Sequence, residues 1–170
     1  IYQYAYGYSN IKKKDTLKLN SAFQLASTSK TLTAAAILLL KDEGKLKLTD
    51  TLQRYFPGFP YRNITIHDLL THRSGLGNYL YFGEPLCDER NCYKGMILNN
   101  ATLLTMMMNE RPSTYFAPAR KFAYCNTNYA LLALIIEQVS GMTYSDFLEE
   151  RIFKPLGMKN TWVHQPQKDA

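Results

Sequence analysis

Strict alternation governs the first ten residues, and helical periodicity governs most of the chain after residue 25. Tyr2, Tyr4, Tyr6 and Tyr8 fall on one side, with Gln3, Ala5, Gly7 and Ser9 on the other. That period of two predicts a strand with one aromatic face. Lys12-Lys13-Lys14 followed by Asp15 reads as a solvated turn, and a second strand through Leu17–Leu19 or Phe23–Leu25 would complete a hairpin. Beyond it, apolar residues recur at helical spacing over 28–43, with Gly44 placed to end the helix. Asp50 can cap a short helix over 52–55, stopped by Pro57-Gly58-Phe59-Pro60. Thr65-Ile66-His67-Asp68 opens another short helix, which Ser74-Gly75 ends, and residues 78–93 read as an aromatic loop. Helices are also predicted over 101–110, ended by Pro112, over 127–140, with Gly141 just beyond, and from a Thr143 cap to residue 153, broken by Pro155-Leu156-Gly157. Met106-Met107-Met108 is read as core filling. One hairpin followed by many helices is an α+β pattern.

Composition narrows this picture. A chain of 170 residues with 46% hydrophobic and 20% charged content is that of a folded protein, large enough for one domain or two small ones. The net charge of +6 is spread along the chain, so nucleic acid is not expected as a partner. The longest apolar run, residues 34–40, is too short to cross a bilayer and reads as a buried helix. The chain opens on Ile1 within a strand-like pattern, so the lack of a visible signal peptide says little about location. Of the three cysteines, Cys87 and Cys92 flank a polar stretch. A local disulfide and two free thiols are both compatible with that spacing. No second Cys or His pair stands at ligand spacing, so no metal is expected.

The chemistry begins at Ser27-Thr28-Ser29-Lys30, where the strand-like run gives way to the first helix. Residues i and i+3 share a helix face, so the Lys30 amine can lean back onto the Ser27 hydroxyl. The helix start adds unpaired N–H groups and the positive end of the dipole, both favourable to a developing oxyanion. By itself S-x-x-K is common, and serine at a helix start usually only caps the backbone. Tyr124-Cys125-Asn126, directly before the 127–140 helix, supplies the complement. A tyrosine hydroxyl can relay a proton from nucleophile to leaving group, and a nearby lysine favours its phenolate. An asparagine can hold the lysine through its carbonyl and a substrate amide through its NH2, and Asn126 stands where it can also cap the helix.

With these residues in view, the chain resembles class C β-lactamases and the penicillin-binding, D-alanyl-D-alanine carboxypeptidase type of serine hydrolase. The stretch from Phe23 through Thr31 is similar to their first motif, and Tyr124-Cys125-Asn126 to their Tyr-x-Asn motif. Ile64-Thr65-Ile66-His67-Asp68-Leu69-Leu70-Thr71-His72-Arg73-Ser74-Gly75-Leu76 and Ile152-Phe153-Lys154-Pro155-Leu156-Gly157-Met158-Lys159-Asn160-Thr161 are similar to two further family segments. The resemblance runs from about Tyr6 to Trp162, and its four ordered motifs are far more specific than one tetrapeptide. The resemblance implies a β-lactamase/transpeptidase-like α+β fold. Residues 1–26 would be N-terminal strands of the α/β domain, and residues 27–170 a helical domain carrying both motifs.

The resemblance also implies Ser27 as acylated nucleophile, Lys30 and Tyr124 as proton-transfer groups, and Asn126 as the residue orienting lysine and substrate. The Ser27 N–H would be half of an oxyanion hole. In the related class A enzymes the role of the motif lysine as acylation base is disputed. His72, and with it His67 and His164, is expected to pack or hydrogen-bond rather than catalyse. No cofactor is implied, and the substrate would be a β-lactam, a D-amino-acid peptide or an ester, met in the periplasm or outside the cell. The family's third motif, Lys-Thr-Gly or His-x-Gly on an inner strand, should lie well beyond Trp162, whereas the sequence stops at Ala170. On that ground the chain is expected to be a fragment whose partner is the missing C-terminal part of the sheet. The alternative is a non-catalytic binding module retaining only the helical domain. Cys125 stands where Ser or Ala is usual, and Ala119 where glycine is frequent, a departure that bears on the loop leading to Tyr124.

Overall fold

A computed structural model describes residues 2–83 and 99–164. The Cys87–Cys92 question falls outside them. Strand β1 (Tyr8–Asn10) pairs antiparallel with β2 (Asp15–Thr16) around an exposed turn that holds all three lysines. The hairpin turns at the predicted lysines, but its second strand falls at Asp15–Thr16 rather than within residues 17–25, and the first is much shorter than the alternation suggests. Tyr2, Tyr4 and Tyr6 do share one face, with successive ring centroids 6.4 and 6.5 Å apart, yet they stay exposed and outside the ladder. Residues 17–25 form no strand either. A period of two gives an extended chain its faces, but only a hydrogen-bonded neighbour makes it a strand.

A 3-10 turn, Ala26–Ser29, then leads into α1 (Lys30–Asp42), whose Thr33, Ala36, Ile37 and Leu40 are buried. Helix α2 (Leu52–Tyr55) corrects one expectation: its N-cap is Thr51, not Asp50. Asp50 instead accepts from the Lys47 N–H at 2.8 Å and from the Tyr55 hydroxyl at 2.7 Å, tying the preceding turn to the helix. Helix α3 (Ile66–Leu70) begins on a capping box in which Thr65 and Asp68 satisfy each other's backbone N–H groups. Helix α4 (Asn100–Glu110) is capped by the Asn99 side chain and buries Met106 and Met107 completely, as expected of core filling.

Helix α5 (Asn126–Ser140) is the hub. It packs on α1, α3, α4 and α6 (Tyr144–Leu148), and Leu131, Leu132, Ile135 and Ile136 are wholly buried. Its N-cap is Cys125 and Asn126 is already helical, so the reading of Asn126 as a cap is overturned. A π-helical turn, Glu149–Phe153, continues α6 and buries Ile152 and Phe153. Thr33 of α1 and Tyr144 of α6 share a 2.6 Å hydrogen bond, and Arg151 pairs with Glu43 at the far end of α1. The Ser27–Lys30 end of α1 and the Tyr124 end of α5 are thereby carried by two helices of one core.

Ala119 has φ +62°, a left-handed conformation that costs an alanine about 1–2 kcal/mol and glycine almost nothing. Its N–H donates to the Arg73 carbonyl at 2.9 Å, so the conformation is held in place. Ala119→Gly should stabilise the fold by roughly 0.5–1 kcal/mol after the added freedom of the unfolded chain is discounted. Thermal denaturation checks this as a rise in Tm of about 1–4 °C.

Candidate active site

Ser27 lies in the 3-10 turn rather than in the α-helix that follows, and this sharpens its relation to Lys30. In a 3-10 turn side chains at i and i+3 eclipse. The Lys30 Nζ accordingly donates to the Ser27 Oγ at 2.9 Å. The residue before the serine, Ala26, has φ +46°, and Ser29 Oγ donates to its carbonyl at 2.6 Å. A left-handed non-glycine residue directly ahead of a candidate nucleophile is the kind of local strain that functional sites hold in place. Ser27 is second in the turn, where the N–H groups lack partners of their own within the helix.

Tyr124 comes from 97 residues away, and its Oη lies 2.5 Å from the Ser27 Oγ. Lys30 Nζ sits 5.0 Å from the Tyr124 ring centre and 5.6 Å from that of Tyr129. The lysine hydrogen bond foremost, and the serine hydrogen bond after it, hold the Tyr124 phenol below the ordinary tyrosine range. Three of the four residues singled out in the sequence therefore meet in one network with Ser27 Oγ at its centre. Asn126 is half-buried at the start of α5, but among the described residues its side chain forms no hydrogen bond with Lys30.

The segment bearing Tyr124 is stitched to residues 72–79. The Tyr115 N–H donates to the Gly75 carbonyl at 2.8 Å, and the Ala123 N–H to the His72 carbonyl at 2.9 Å. Thr127 Oγ1 donates to the Gly77 carbonyl at 2.8 Å and accepts from the Tyr79 N–H at 2.9 Å. Gly75 is required there: at φ +75°, a Cβ would lie 2.0 Å from the Phe116 carbonyl oxygen. Cys125 is buried, and its thiol reaches the Leu76 and Gly77 carbonyls at 3.5 and 3.6 Å. Burial raises the thiol pKa, so the sulfur is an inert packing group.

His72 is buried, with Nδ1 accepting the Cys125 N–H at 3.1 Å, the hydrogen-bonding role expected of it. His67 and His164 are exposed. Among the described residues no cluster of three or more metal-ligating side chains occurs, and no helix is long and apolar enough to cross a membrane.

The Beta-lactamase family profile matches residues 1–170, and the chain belongs to that family. It is 43% identical over 164 residues to penicillin-binding protein 4* of Bacillus subtilis, covering 96% of this chain and 35% of that protein. It is 31% identical over 159 residues to a D-aminopeptidase of Brucella anthropi, covering 94% of this chain and 29% of the relative. Its fold superposes on a penicillin-binding protein from Bacillus halodurans with TM-score 0.77 and 30% identity, covering 95% of this chain and 48% of that one. On the D-amino acid amidase of Ochrobactrum anthropi the TM-score is 0.76 at 30% identity, covering 93% and 42%. The fold is thus the penicillin-binding/β-lactamase fold, and the chain spans about a third of the length of these curated relatives.

Proposed function

We propose that this chain carries the nucleophile and the proton-transfer groups of a serine hydrolase that works through an acyl-enzyme. The observation that carries the reading is the double engagement of Ser27 Oγ, by Lys30 Nζ at 2.9 Å and Tyr124 Oη at 2.5 Å. With Tyr124 as phenolate, its oxygen takes the Ser27 proton as Oγ attacks an amide or ester carbonyl carbon. The tetrahedral adduct collapses by breaking the C–N or C–O bond, and Tyr124 returns the proton to the leaving group. Water then attacks the seryl ester, giving a proton to Tyr124 that is passed on to the departing Ser27 Oγ. Lys30 favours the phenolate form of Tyr124, by its hydrogen bond first and its charge after it, and the Ser27 N–H would stabilise the oxyanion. Asn126, at the start of α5, would orient the acyl amide of the substrate.

Relatives that are a D-aminopeptidase and a D-amino acid amidase favour peptide, amide or ester substrates of D-amino acids over a dedicated β-lactam hydrolase. Such a substrate is met at the cell envelope, so a periplasmic or extracellular location is part of the reading. Incubating the intact protein, as its cells make it, with benzylpenicillin should add the mass of one whole penicillin molecule. Ring opening retains the leaving group, so nothing is lost from the adduct. If a folded sample gains no mass and also releases no nitrophenol from p-nitrophenyl esters, the hydrolase reading falls and a non-catalytic binding module takes its place.

A further inference from the structure

His72 lies outside the Ser27 hydrogen-bond network, yet it grips the chain on both sides of Tyr124. The Ala123 N–H ends on its carbonyl at 2.9 Å and the Cys125 N–H on its Nδ1 at 3.1 Å. Its ring centre is 4.5 Å from that of Tyr124 itself. His72 is in turn firmly held. Its own N–H donates to the Leu69 carbonyl at 3.2 Å, its φ is +56°, and its ring lies 5.2 Å from Tyr129 and 5.9 Å from Phe122. An imidazole that accepts at Nδ1 must carry its single proton on Nε2. Protonating Nδ1 would set two N–H groups against each other at the Cys125 contact and bring a second positive charge towards Lys30.

We propose that His72 is a positioning residue for acyl transfer, holding Tyr124 Oη against Ser27 Oγ through the Cys125 N–H···Nδ1 bond, and that protonation of the imidazole releases this hold. The inference rests on the acyl-transfer reading above. The groups facing the ring are Lys30 from α1, Tyr129 from α5, and Tyr124 and Cys125 from the segment between. The cation among them is Lys30. Burial first, and Lys30 second, push the imidazole below its ordinary range. The sign follows: the hold is intact at neutral pH and is lost only as pH falls beneath the usual histidine value of about 6.5.

The test is made on the intact protein with two readouts. One is the pH profile of acylation by benzylpenicillin. The other is titration of Tyr124 by its 13Cζ resonance, identified by its loss in Tyr124→Phe. His72→Ala removes the acceptor and should slow acylation by roughly 10- to 100-fold, the scale of an ångström-sized misplacement. The Tyr124 titration should also move back up as its Oη leaves Lys30. His72→Asn places an amide oxygen where Nδ1 was, tolerates the left-handed backbone and does not titrate. It should restore the Tyr124 titration, recover most of the rate and leave on the acid side only the single-proton limb set by Tyr124, without the steeper second loss below about pH 6.5 that His72 adds. The proposal is overturned if His72→Ala leaves Tyr124 and acylation unmoved, or if the steeper second loss below about pH 6.5 persists in His72→Asn. Should His72→Ala fail to fold, His72→Asn decides alone. If the native protein is never acylated the hydrolase reading fails, and the Tyr124 titration still shows whether His72 positions the phenol.

Discussion

Ser27→Ala should abolish the penicillin adduct and leave the fold intact, while Lys30→Met should slow adduct formation by about 10²- to 10⁴-fold. Ser27 is exposed in the turn before α1 and Lys30 half-buried at the helix's first position, and their polar atoms meet each other and Tyr124 rather than the core. Neither variant therefore leaves a cavity. On the proposed mechanism Ser27 Oγ is the atom that forms the ester, so no residual labelling is expected without it. Removing the Lys30 ammonium acts through Tyr124 instead. The lysine is the leading cause of the lowered phenol pKa, so without it Tyr124 returns towards the ordinary tyrosine value of about 10. A group that must be anionic to accept the serine proton then loses a factor of about ten in its active fraction for each pH unit by which its pKa rises. The rising limb of the acylation profile should shift to higher pH in Lys30→Met, and part of the lost rate should return in alkaline buffer. Fluorescent penicillin labelling across pH 5–10 reads both effects. An unshifted limb would mean that the lysine does not act through Tyr124.

Much of this was legible because local rules determine it. Lys30 follows Ser27 by three, and any helical turn brings such a pair together. The structure adds that the turn is 3-10, which the sequence does not distinguish from α-helix because the two differ by one hydrogen-bond register. Tyr124 was legible by motif alone. Its meeting with Ser27 across 97 residues depends on packing of α1 against α5, which periodicity does not encode. The tyrosines of residues 2–8 mark a face, but pairing is a property of the neighbour, so most of the predicted strand is absent from the ladder. Asp50 and Asn126 are good capping residues by type. Each missed the cap because the position was set by a contact elsewhere in the fold, Asp50 with Tyr55 and the start of α5 with its packing partners. The place of His72 at the end of a short helix points only to packing or hydrogen bonding. Its two partners, on either side of Tyr124, became visible only when the 72–79 loop and the 115–129 segment lay side by side.

Asn128→Ala should be the most damaging polar substitution in that seam, lowering stability by about 2–3 kcal/mol. Asn128 is fully buried on α5, and Ser74 beside it is 1% exposed. Ser74 Oγ donates to Asn128 Oδ1 at 2.6 Å and accepts the Leu76 N–H at 3.1 Å. Asn128 Nδ2 also reaches the Leu69 carbonyl at 3.3 Å. That carbonyl keeps a second donor, the His72 N–H, so the group stranded by the substitution is the Ser74 hydroxyl, left in a dry core with no acceptor. Thermal denaturation should show Tm lower by roughly 4–12 °C for a chain of this size. If the stranded hydroxyl is the cause, removing it as well should help. The Ser74→Ala/Asn128→Ala double variant should be less destabilised than the two single losses added together, by about 1–2 kcal/mol. Strict additivity would instead assign the loss to the cavity left by the asparagine. Because Ser74 stands two residues after His72, the same substitution loosens the loop on which Tyr124 is hung, so acylation should fall even at temperatures where the fold persists.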